Sequence, residues 1–401
     1  MKRNDIRHID SLLLVSVLFL VILGAAVVYS ASSYRAEQIM GDGAYFFKNQ
    51  MIRVLIGSVF LLLLALVNYR FWIRLSRYML PLAFAMLLLL FTDLPFVLTI
   101  KGATRWLRFG PIQFQPSDFA RYTLILFLAW SLNRKRDQLQ DSAQSFLRHL
   151  AIISAFALAI AFEKDLSTAM ILAIIAFTMF YFAEIKLSYL MISGLCFTAA
   201  AQAFILTHSV QFERVRKFFD LWVQDSGSNW QLDQSMISLA LGGFFGQGLG
   251  NSRGKYDFLP EAHKDFIFSI IGEEMGFLGA TLVLLLFFLI IYRGIKISLT
   301  APDGEGRLLA SGITACIGIY ALINSAVALG MLPTTGIPMP FISYGGSALV
   351  THLAAVGLLI NISAQSRESY SHYHHWRTYQ KRLERTPFRS SHRRKKRMVF
   401  G

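Results

Sequence analysis

The sequence predicts an all-α polytopic membrane protein with about ten transmembrane helices and a large outer loop between spans 7 and 8. Of its 401 residues, 55% are hydrophobic and only 16% are charged. Soluble globular chains carry about 25% charged residues, so this composition excludes an ordinary water-soluble fold. The hydrophobic residues also cluster in long stretches, and a helix needs roughly 20 of them to cross a bilayer.

Ten such stretches follow one another along the chain. They cover 11–31, 51–69, 78–99, 117–133, 148–162, 166–183, 187–207, 266–292, 308–331 and 346–364. The first is uncharged and longer than the apolar core of about 7–15 residues in a secretory signal, so we predict a retained helix. Residues 308–366 contain no charged side chain, and a run of that length must hold two spans and a neutral loop.

The positions of the basic residues predict the orientation of the chain. Ten spans place both termini on one side of the membrane, and cytoplasmic loops are enriched in Lys and Arg. The basic residues that flank the early spans are Lys2, Arg3, Arg7, Arg70, Arg74 and Arg77 on the predicted inner side, against Arg35, Lys48 and Arg53 outside. We therefore expect cytoplasmic termini and an outer position for the loop 208–264.

The formal net charge of +15 does not predict nucleic-acid binding, because much of it lies in the C-terminal tail. We predict a membrane domain over 1–366 and a basic cytoplasmic tail over 367–401, which lacks apolar periodicity and is expected to be disordered. Such a tail suits contact with anionic membrane lipid, at roughly 1 kcal/mol per basic residue. Docking of cytoplasmic partner proteins is the alternative.

No metal or cofactor is required by the sequence. The two cysteines, Cys196 and Cys316, each lie in an apolar run, which offers neither a disulfide framework nor a zinc site. A divalent cation such as Mg²⁺ could assist chemistry on a phosphate, but no cluster of ligands demands one.

The first candidate site is the basic outer segment at and before the start of span 4. It contains Lys101, Arg105, Arg108 and Arg121 against one acidic residue, Asp118. A cationic loop beside the bilayer suits an anionic lipid-linked substrate such as a diphosphate. Interfacial anchoring by Arg and Trp side chains is the alternative.

The long loop 208–264 contains two further patterns. Phe212, Val215, Phe219 and Trp222 recur at helical spacing with charged residues opposite, which predicts a helix lying in the membrane interface. The glycines of 242–250 imitate a phosphate-binding loop, but no strand precedes them and no Gly-Lys-Ser/Thr follows. We interpret them as a site of close backbone packing or a bend at the membrane surface.

Carboxylates cluster where this loop meets span 8. Asp265 lies at the outer mouth of the span, and Glu273 and Glu274 lie deeper. Ionisable groups at membrane depth usually face a cavity or a partner, so we expect both glutamates to line a cavity. Asp265 could act there as a general base, and its alternative role is a helix N-cap.

The uncharged segment 331–346 completes the candidate site. Its three prolines and three glycines exclude a regular helix, and irregular backbone at membrane depth must line a cavity or be buried in protein. We predict a cavity wall in which Ser343 and Tyr344 offer polar groups.

Several of these segments together resemble the SEDS family of shape, elongation, division and sporulation proteins. The resemblance rests on Leu259-Pro-Glu-Ala-His-Lys-Asp-Phe-Ile-Phe268 with Gly272-Glu-Glu-Met-Gly276, on Pro333 to Ser347, on Gly102-Ala-Thr-Arg-Trp106 with Gln115-Pro-Ser117, and on Asp165-Leu-Ser-Thr-Ala169. The matching segments follow the family's order from the first span to the last.

The resemblance implies a peptidoglycan glycosyltransferase that polymerises lipid II, an undecaprenyl-diphosphate-linked disaccharide peptide, on the outer face of the bacterial cytoplasmic membrane. It implies pairing with a class B penicillin-binding protein transpeptidase and, in the division branch, with other division-complex proteins. We expect an inverting reaction with Asp265 as the general base. The expected substrate-binding residues are Arg105, Arg121, Lys101, Glu261, His263 and Lys264.

Different segments of the chain resemble two different branches of the family. Tyr29-Ser-Ala-Ser32 and the basic tail are more like the cell-division members, which would place the protein at the division septum. Thr335-Gly-Ile-Pro338 is more like the elongation members.

The chain also departs from the family's usual motifs. Lys264 replaces the usual Thr, Asp118 the usual Glu and Arg121 the usual Lys, while Glu163 stands where Gln is usual. A cation beside Asp265 favours the ionised carboxylate and makes it a weaker base. Two other functions stay open, a flippase for a lipid-linked oligosaccharide and a noncatalytic scaffold that activates a penicillin-binding protein.

Overall fold

The computed structural model describes residues 9–100, 102–110, 112–135, 142–223, 229–254 and 259–385, without the side chains of 100, 109, 112, 221–223 and 367–385. In these ranges the chain forms twelve helices and three short strands. In chain order they are α1 (Ser11–Met40), α2 (Tyr45–Leu66), α3 (Tyr69–Leu89), β1 (Val97–Ile100), β2 (Ala103–Phe109), β3 (Ile112–Phe114), α4 (Pro116–Arg134), α5 (Ala143–Phe162), α6 (Leu166–Phe182), α7 (Leu187–Thr207), α8 (Ser209–Val223), α9 (Trp230–Gly242), α10 (Ile267–Leu299), α11 (Gly304–Ala328) and α12 (Gly346–Arg385).

Each of the ten predicted spans contains a helix, namely α1 to α7 and α10 to α12. Eight of these described helices are long and apolar enough to cross a membrane, and the protein is a multi-pass membrane protein. Helix α6 has only 17 residues, and α4 carries Asp118 and Arg121 near its start, which lowers its hydropathy. The polytopic helical fold is confirmed, while the number of ten spans stays a prediction.

Helices α1 and α10 run antiparallel and define the two ends of the bundle. Asp10 caps α1 by accepting a hydrogen bond from the Leu13 N–H (3.1 Å). It also pairs with Arg293 near the end of α10, with 2.9 Å between Oδ2 and Nε. Further along α1, Ser30 donates to Glu274 near the start of α10. Ion pairs join other predicted inner loops to one another, so the predicted inner and outer loops occupy opposite ends.

Three short strands form a sheet that the sequence analysis did not predict. The strands are antiparallel neighbours in the order β1-β2-β3, and Gly102 (φ 74°) and Gly110 (φ 60°) make the two turns. The side chains of Thr99 and Thr104 meet across β1 and β2 with 3.0 Å between their hydroxyl oxygens. A β-branched run that ends at glycine is the signal for such a hairpin. The sheet carries the basic outer segment.

Helix α10 is interrupted at Gly276, which has φ 67° and ψ −166°. The Gln247 N–H donates to the carbonyl of Glu273 (2.9 Å), which has lost its helical partner at the break. A Cβ on Gly246 would lie 2.2 Å from the carbonyl oxygen of Glu274, so only glycine fits there. The interpretation of the glycine run as a site of close backbone packing is confirmed.

Helix α8 lies where the sequence predicts an amphipathic helix. Phe212 and Phe219 are exposed on it, whereas Lys217 faces a cavity. An apolar face that the protein leaves uncovered suits a helix at the membrane surface, although its position in the interface stays a prediction.

The structure differs from the prediction in the C-terminal tail. Helix α12 continues to Arg385, through residues that the sequence analysis assigned to a disordered segment. The physical reason is that no Gly or Pro interrupts the chain between Gly357 and Pro387, so nothing ends a helix that the last span has already nucleated. The remaining tail, 386–401, lies outside the described residues.

Candidate active site

A cavity of about 720 Å³ opens at the end of the bundle where the predicted outer loops meet. Its walls come from the sheet, from α2, α8 and α9, from the starts of α4 and α12, and from two irregular segments, the turn 259–266 and the loop 329–345. Its size lies in the range of about 300–1,000 Å³ typical of small-molecule sites. The predicted site residues on its wall are Arg105, Asp118, Glu261, Lys264, Asp265 and Tyr344.

Asp265 is half-buried on the cavity wall, at the end of the turn 259–266. Helix α10 begins at Ile267 with Phe266 in the N-cap position, so Asp265 is not the capping residue of this helix. A Cβ on Gly336 would lie 3.7 Å from Asp265 Oδ2, which places this carboxylate against the loop 329–345. The side chain therefore faces the cavity, where a base would meet substrate.

Asn324 joins the two irregular segments, and the sequence analysis missed it. Its Nδ2 donates to the carbonyls of Asp265 (2.8 Å) and Ile337 (2.8 Å). The side chain is buried in α11, within a run that contains no charge. An amide within such a run was the available signal, because a buried polar group needs a hydrogen-bond partner. Asn324 holds the backbone of Asp265 in place.

Lys264 and Glu261 form an ion pair beside Asp265. The Lys264 Nζ lies 2.7 Å from Glu261 Oε2, and the Arg35 guanidinium approaches the other carboxylate oxygen at 3.7 Å. The positive charge that replaces the family's usual Thr is therefore shared with a carboxylate of the same turn. This pairing weakens the effect of Lys264 on Asp265.

His263, a predicted substrate-binding residue, is buried behind the cavity wall. Its ring packs between those of Phe46 (4.8 Å between centroids) and Tyr344 (5.5 Å), and its carbonyl accepts the Tyr344 N–H (2.9 Å). Burial, with the neighbouring Lys264 charge, lowers the pKa of His263 to about 3. It is thus a neutral ring at pH 7 that positions Tyr344 instead of binding an anion.

Arg105 is held on the cavity wall by the turn between α5 and α6. Its Nε donates to the Glu163 carbonyl (3.2 Å) and its Nη2 to the Lys164 carbonyl, while Nη1 lies 3.7 Å from Asp165 Oδ2. Lys164 in turn donates to the Gly102 carbonyl (2.7 Å). These reciprocal bonds fix the sheet against the turn and pre-orient the guanidinium toward the cavity.

Glu163 is a buried carboxyl group within this turn. Only 2% of it is exposed, and neither carboxyl oxygen has a hydrogen-bond partner among the described residues. Burial and the neighbouring negative charge of Asp165 raise the pKa of Glu163 to about 9, against the opposing effect of Arg105. The group is therefore a neutral acid at pH 7, close in shape and charge to the Gln that is usual in the family.

Asp118 and Arg121 form a buried pair on α4, of which only Asp118 lines the cavity. Asp118 accepts from Arg121 Nη2 (3.1 Å) and from the Ser347 hydroxyl (2.7 Å). Arg121 is 1% exposed, donates to the Tyr320 hydroxyl and lies over the Tyr320 and Tyr122 rings (4.3 and 5.2 Å to the centroids).

The structure therefore places Arg121 behind the cavity wall, and substrate binding by Arg121 stays a prediction. Arg121 follows Asp118 by three residues and points one turn deeper into the bundle, where protein groups compensate its charge. Its role is to position Asp118.

Three further predicted cavity residues lie away from the wall. Glu273 accepts from the Ser252 hydroxyl (2.6 Å) and the Arg253 N–H (2.7 Å), and Glu274 accepts from Ser30. Both glutamates lie just before the break in α10. Their carboxylates accept hydrogen bonds from neighbouring segments and do not face the cavity. Ser343 is also buried and accepts the Met339 N–H (2.8 Å) within its own loop. Lys101 lies outside the described residues.

The cavity is cationic, and three of its cations were not predicted as site residues. The described wall carries five basic side chains against three acidic ones: Arg53, Arg105, Arg214, Lys217 and Lys264 against Asp118, Glu261 and Asp265. Burial and the nearby Arg105 lower the pKa of Arg214, which the charges of Asp165 and Asp265 oppose. A net positive, half-enclosed site with a carboxylate suits an anionic substrate. No group of three potential metal ligands occurs in the described ranges.

Comparison with known proteins yields one family. The sequence model of the FtsW, RodA and SpoVE family, whose description is "Cell cycle protein", matches residues 10–368. A probable peptidoglycan glycosyltransferase FtsW of Geobacter sp. (strain M18) is 37% identical over 361 residues, which are 89% of this chain and 97% of the relative. The stage V sporulation protein E of Bacillus subtilis (strain 168) is 36% identical over 359 residues, with 89% and 98% covered.

Two solved structures have a similar fold. A chain from "Structural coordination of polymerization and crosslinking by a peptidoglycan synthase complex" has a TM-score of 0.73 at 23% identity and covers 89% of this chain and 98% of its own. At that identity the likeness shows the fold alone. The rod shape determining protein RodA of Thermus thermophilus has a TM-score of 0.63 at 25% identity, with 88% and 96% covered.

Proposed function

The chain belongs to the FtsW, RodA and SpoVE family, and on that premise we propose that it is a peptidoglycan glycosyltransferase that polymerises lipid II into glycan strands. Relatives at 34–38% identity bear the name of this activity. The observation that carries the proposal is the cationic cavity with Asp265 on its wall, at the predicted outer end of the bundle.

Asp265 is the general base of the proposed reaction. The 4-hydroxyl of the acceptor GlcNAc attacks the MurNAc anomeric carbon of the donor, and Asp265 accepts the hydroxyl proton as the new C–O bond forms. The bond from that carbon to undecaprenyl diphosphate breaks in the same step, so the anomeric configuration inverts. The Lys264–Glu261 pair supports this role, since it limits the cationic field that would weaken the base.

Arg105 and Arg214 stabilise the leaving diphosphate in this proposal. Both lie on the cavity wall, and the charge of Arg214 interacts with those of Arg105 and Asp265. Two guanidinium groups that face one anion in a partly enclosed site stabilise the charge that develops as the bond breaks. The hydrogen bonds of Arg105 to the turn at 163–165 keep it oriented before substrate binds. A Mg²⁺ ion at the diphosphate would add to this stabilisation, without being required by the sequence.

The proposed cellular setting follows the relatives. We place both termini in the cytoplasm and the cavity at the outer face of the bacterial cytoplasmic membrane, at the division septum. A class B penicillin-binding protein would crosslink the product, other division-complex proteins would bind the assembly, and anionic lipid would contact the tail. Two findings support these assignments: the names of the FtsW relatives, and the fold shared with a chain from a peptidoglycan synthase complex.

The flippase alternative loses its main argument in this structure. The membrane-depth acids that suggested a transport pathway, Glu273 and Glu274, are satisfied by hydroxyl and backbone groups and lie away from the cavity. The scaffold alternative predicts a protein without catalysis of its own.

The deciding experiment incubates the purified full-length protein with lipid II in detergent, alone and with its penicillin-binding partner. We expect glycan polymer from the wild type and none from Asp265→Asn prepared in the same way, which excludes a contaminating polymerase. Asp42→Asn is the matched control, because Asp42 pairs with Lys48 and does not line the cavity. Absence of polymer in every wild-type sample would overturn the proposed function.

A further inference from the structure

Arg53 is a cation on the cavity wall that the proposed reaction has not used. It lies on α2, with its guanidinium carbon 4.2 Å above the centre of the Tyr344 ring. Its Nη1 is buried and has no hydrogen-bond partner among the described residues. Arg53 as a whole is half-buried and lines the cavity, so a ligand there can reach its side chain.

The position of Arg53 is fixed by two contacts of its helix. The Gln50 Nε2 donates to the Ser343 carbonyl (3.3 Å), which joins α2 to the loop 329–345. The Phe46 ring packs edge-on against Tyr344, with 5.1 Å between centroids. Tyr344 is itself held by the His263 carbonyl. Arg53 is therefore pre-oriented on the wall beside the turn that carries the general base.

The three arginines of the wall fall into two groups with different supports, whereas Lys217 pairs with Glu213 and Lys264 with Glu261. Arg105 is hydrogen-bonded to the turn at 163–165, and the charge of Arg214 interacts with those of Arg105 and Asp165. Arg53 is held by Tyr344 and the loop 329–345. The contacts that support Arg53 share no residue with those of Arg105 and Arg214, so the wall presents two separately supported sets of guanidinium groups to an anion.

The proposed reaction joins two substrates that each carry a diphosphate. The donor loses its diphosphate at the reacting carbon, so that group must lie near Asp265. The acceptor attacks through the hydroxyl at one end of its disaccharide and keeps its diphosphate at the other end. A cavity with a single anion-binding surface would leave one of these two charges without a counter-ion.

We infer that Arg53, supported by the Tyr344 ring, binds the diphosphate of the acceptor lipid, while Arg105 and Arg214 bind that of the donor. The inference rests on the proposed function. Arg214 is placed on the donor side because its charge interacts with Asp265. A guanidinium suits this task, since it forms two parallel hydrogen bonds to phosphate oxygens and stacks on an aromatic face at the same time.

The test separates donor from acceptor. Lipid II whose GlcNAc 4-hydroxyl is chemically blocked can only donate, and single transfers are measured at saturating blocked donor with increasing unmodified lipid II. The detergent contains no anionic lipid, so the diphosphate is the only anionic lipid headgroup present. A second series offers a disaccharide peptide acceptor without diphosphate.

For Arg53→Gln we expect the KM for acceptor lipid II to rise about tenfold or more, with kcat and the KM for blocked donor near wild type. The preference of the enzyme for acceptor lipid II over the diphosphate-free acceptor should fall by the same factor. Arg53→Lys should recover part of the loss. Arg105→Gln should instead impair use of the donor.

An unchanged acceptor KM in Arg53→Gln, or a change in the donor KM alone, would overturn the inference while wild-type polymerisation still supports the proposed function. If Arg53→Gln does not yield folded protein, Arg53→Lys provides the decision. This variant must raise the KM for acceptor lipid II and leave the KM for the diphosphate-free acceptor unchanged. Any other pattern contradicts the inference. A wild type without transfer activity would contradict the function itself.

Discussion

The turn 259–266 and the break in α10 contain acidic residues of one short sequence segment, yet the structure uses them differently. Asp265 is half-buried on the cavity wall with Gly336 opposite its carboxylate. Glu273 is fully buried and accepts hydrogen bonds from the Ser252 hydroxyl and two backbone N–H groups. An acid at membrane depth does not by itself mark a reactive site. What matters is whether its carboxylate faces the cavity, as that of Asp265 does.

The same contrast holds among the arginines. Arg121 is enclosed by Asp118 and two tyrosine rings, whereas Arg105 and Arg53 reach the cavity. A buried charge that protein groups compensate stabilises the fold, and a charge at the wall is available for substrate. Substitutions that separate stability from turnover therefore test each assignment.

Arg121→Ala should be the most destabilising of these changes. It leaves the buried Asp118 carboxylate without its cation, and removal of one partner of such a pair costs about 3–5 kcal/mol. Thermal unfolding in detergent measures the loss, with Arg121→Lys as the control that keeps the charge. Wild-type stability together with poor use of the donor would return Arg121 to the substrate-binding role.

Arg105→Ala should reduce turnover, and the loss of its hydrogen bonds to the turn at 163–165 should also lower stability. Charged hydrogen bonds of this kind contribute about 1.5–3 kcal/mol, which corresponds to roughly ten- to hundredfold in rate if the contact forms in the transition state. Arg108 is the matched control, since it lies exposed on the same strand and donates to the Gly110 carbonyl. Equal activity of Arg105→Ala and Arg108→Ala would show that Arg105 only anchors the sheet.

Glu163→Gln should change the pH dependence of stability. The folded-state pKa of about 9 exceeds the ordinary 4.5, so the folded protein keeps a proton that the unfolded chain loses. The resulting stability is complete below about pH 4.5 and is lost as the pH rises to about 9. Unfolding temperatures should therefore fall less for the variant than for the wild type between pH 6 and pH 9. Parallel curves would show that Glu163 ionises normally.

Lys264→Thr should have the smallest effect. Its side chain is 42% exposed and pairs with Glu261, and exposed ion pairs contribute only about 0–1 kcal/mol. We expect stability near wild type and a pH optimum of polymerisation that shifts upward, because the loss of a cation makes Asp265 a stronger base. A pH–rate profile measures this shift, and a loss of activity at every pH would mean that Lys264 binds substrate.

The fold was predictable from the sequence because its signals are local. Ten long apolar stretches specify ten helices, and glycines at 242–250 specify a close backbone contact. The position of Asp265 on the cavity wall was predictable because this residue follows a charged loop at the mouth of a span. The sheet at 97–114 was missed because its strands are short and lie beside a long apolar stretch.

The predicted site residues that lie away from the cavity share one physical cause. Position along a helix gives the depth of a residue but not the neighbour that it faces. Glu273 and Glu274 were assigned to the cavity by their depth and Arg121 by the positive charge of its segment. Packing between distant segments turned all three elsewhere. Arg53 and Arg214 reach the cavity for the same reason, since α2 and α8 meet the other walls only in the folded protein.

The most direct test of the central claim compares turnover and unfolding temperature for Asp265→Asn and Glu273→Gln at equal amounts of monodisperse protein. Asn is nearly isosteric with Asp and cannot accept a proton as a base. The account predicts that Asp265→Asn unfolds like the wild type and loses polymerisation by about 10²–10⁴-fold. Glu273→Gln should unfold at a lower temperature and keep its turnover per folded molecule. Near wild-type polymerisation by Asp265→Asn would contradict the account.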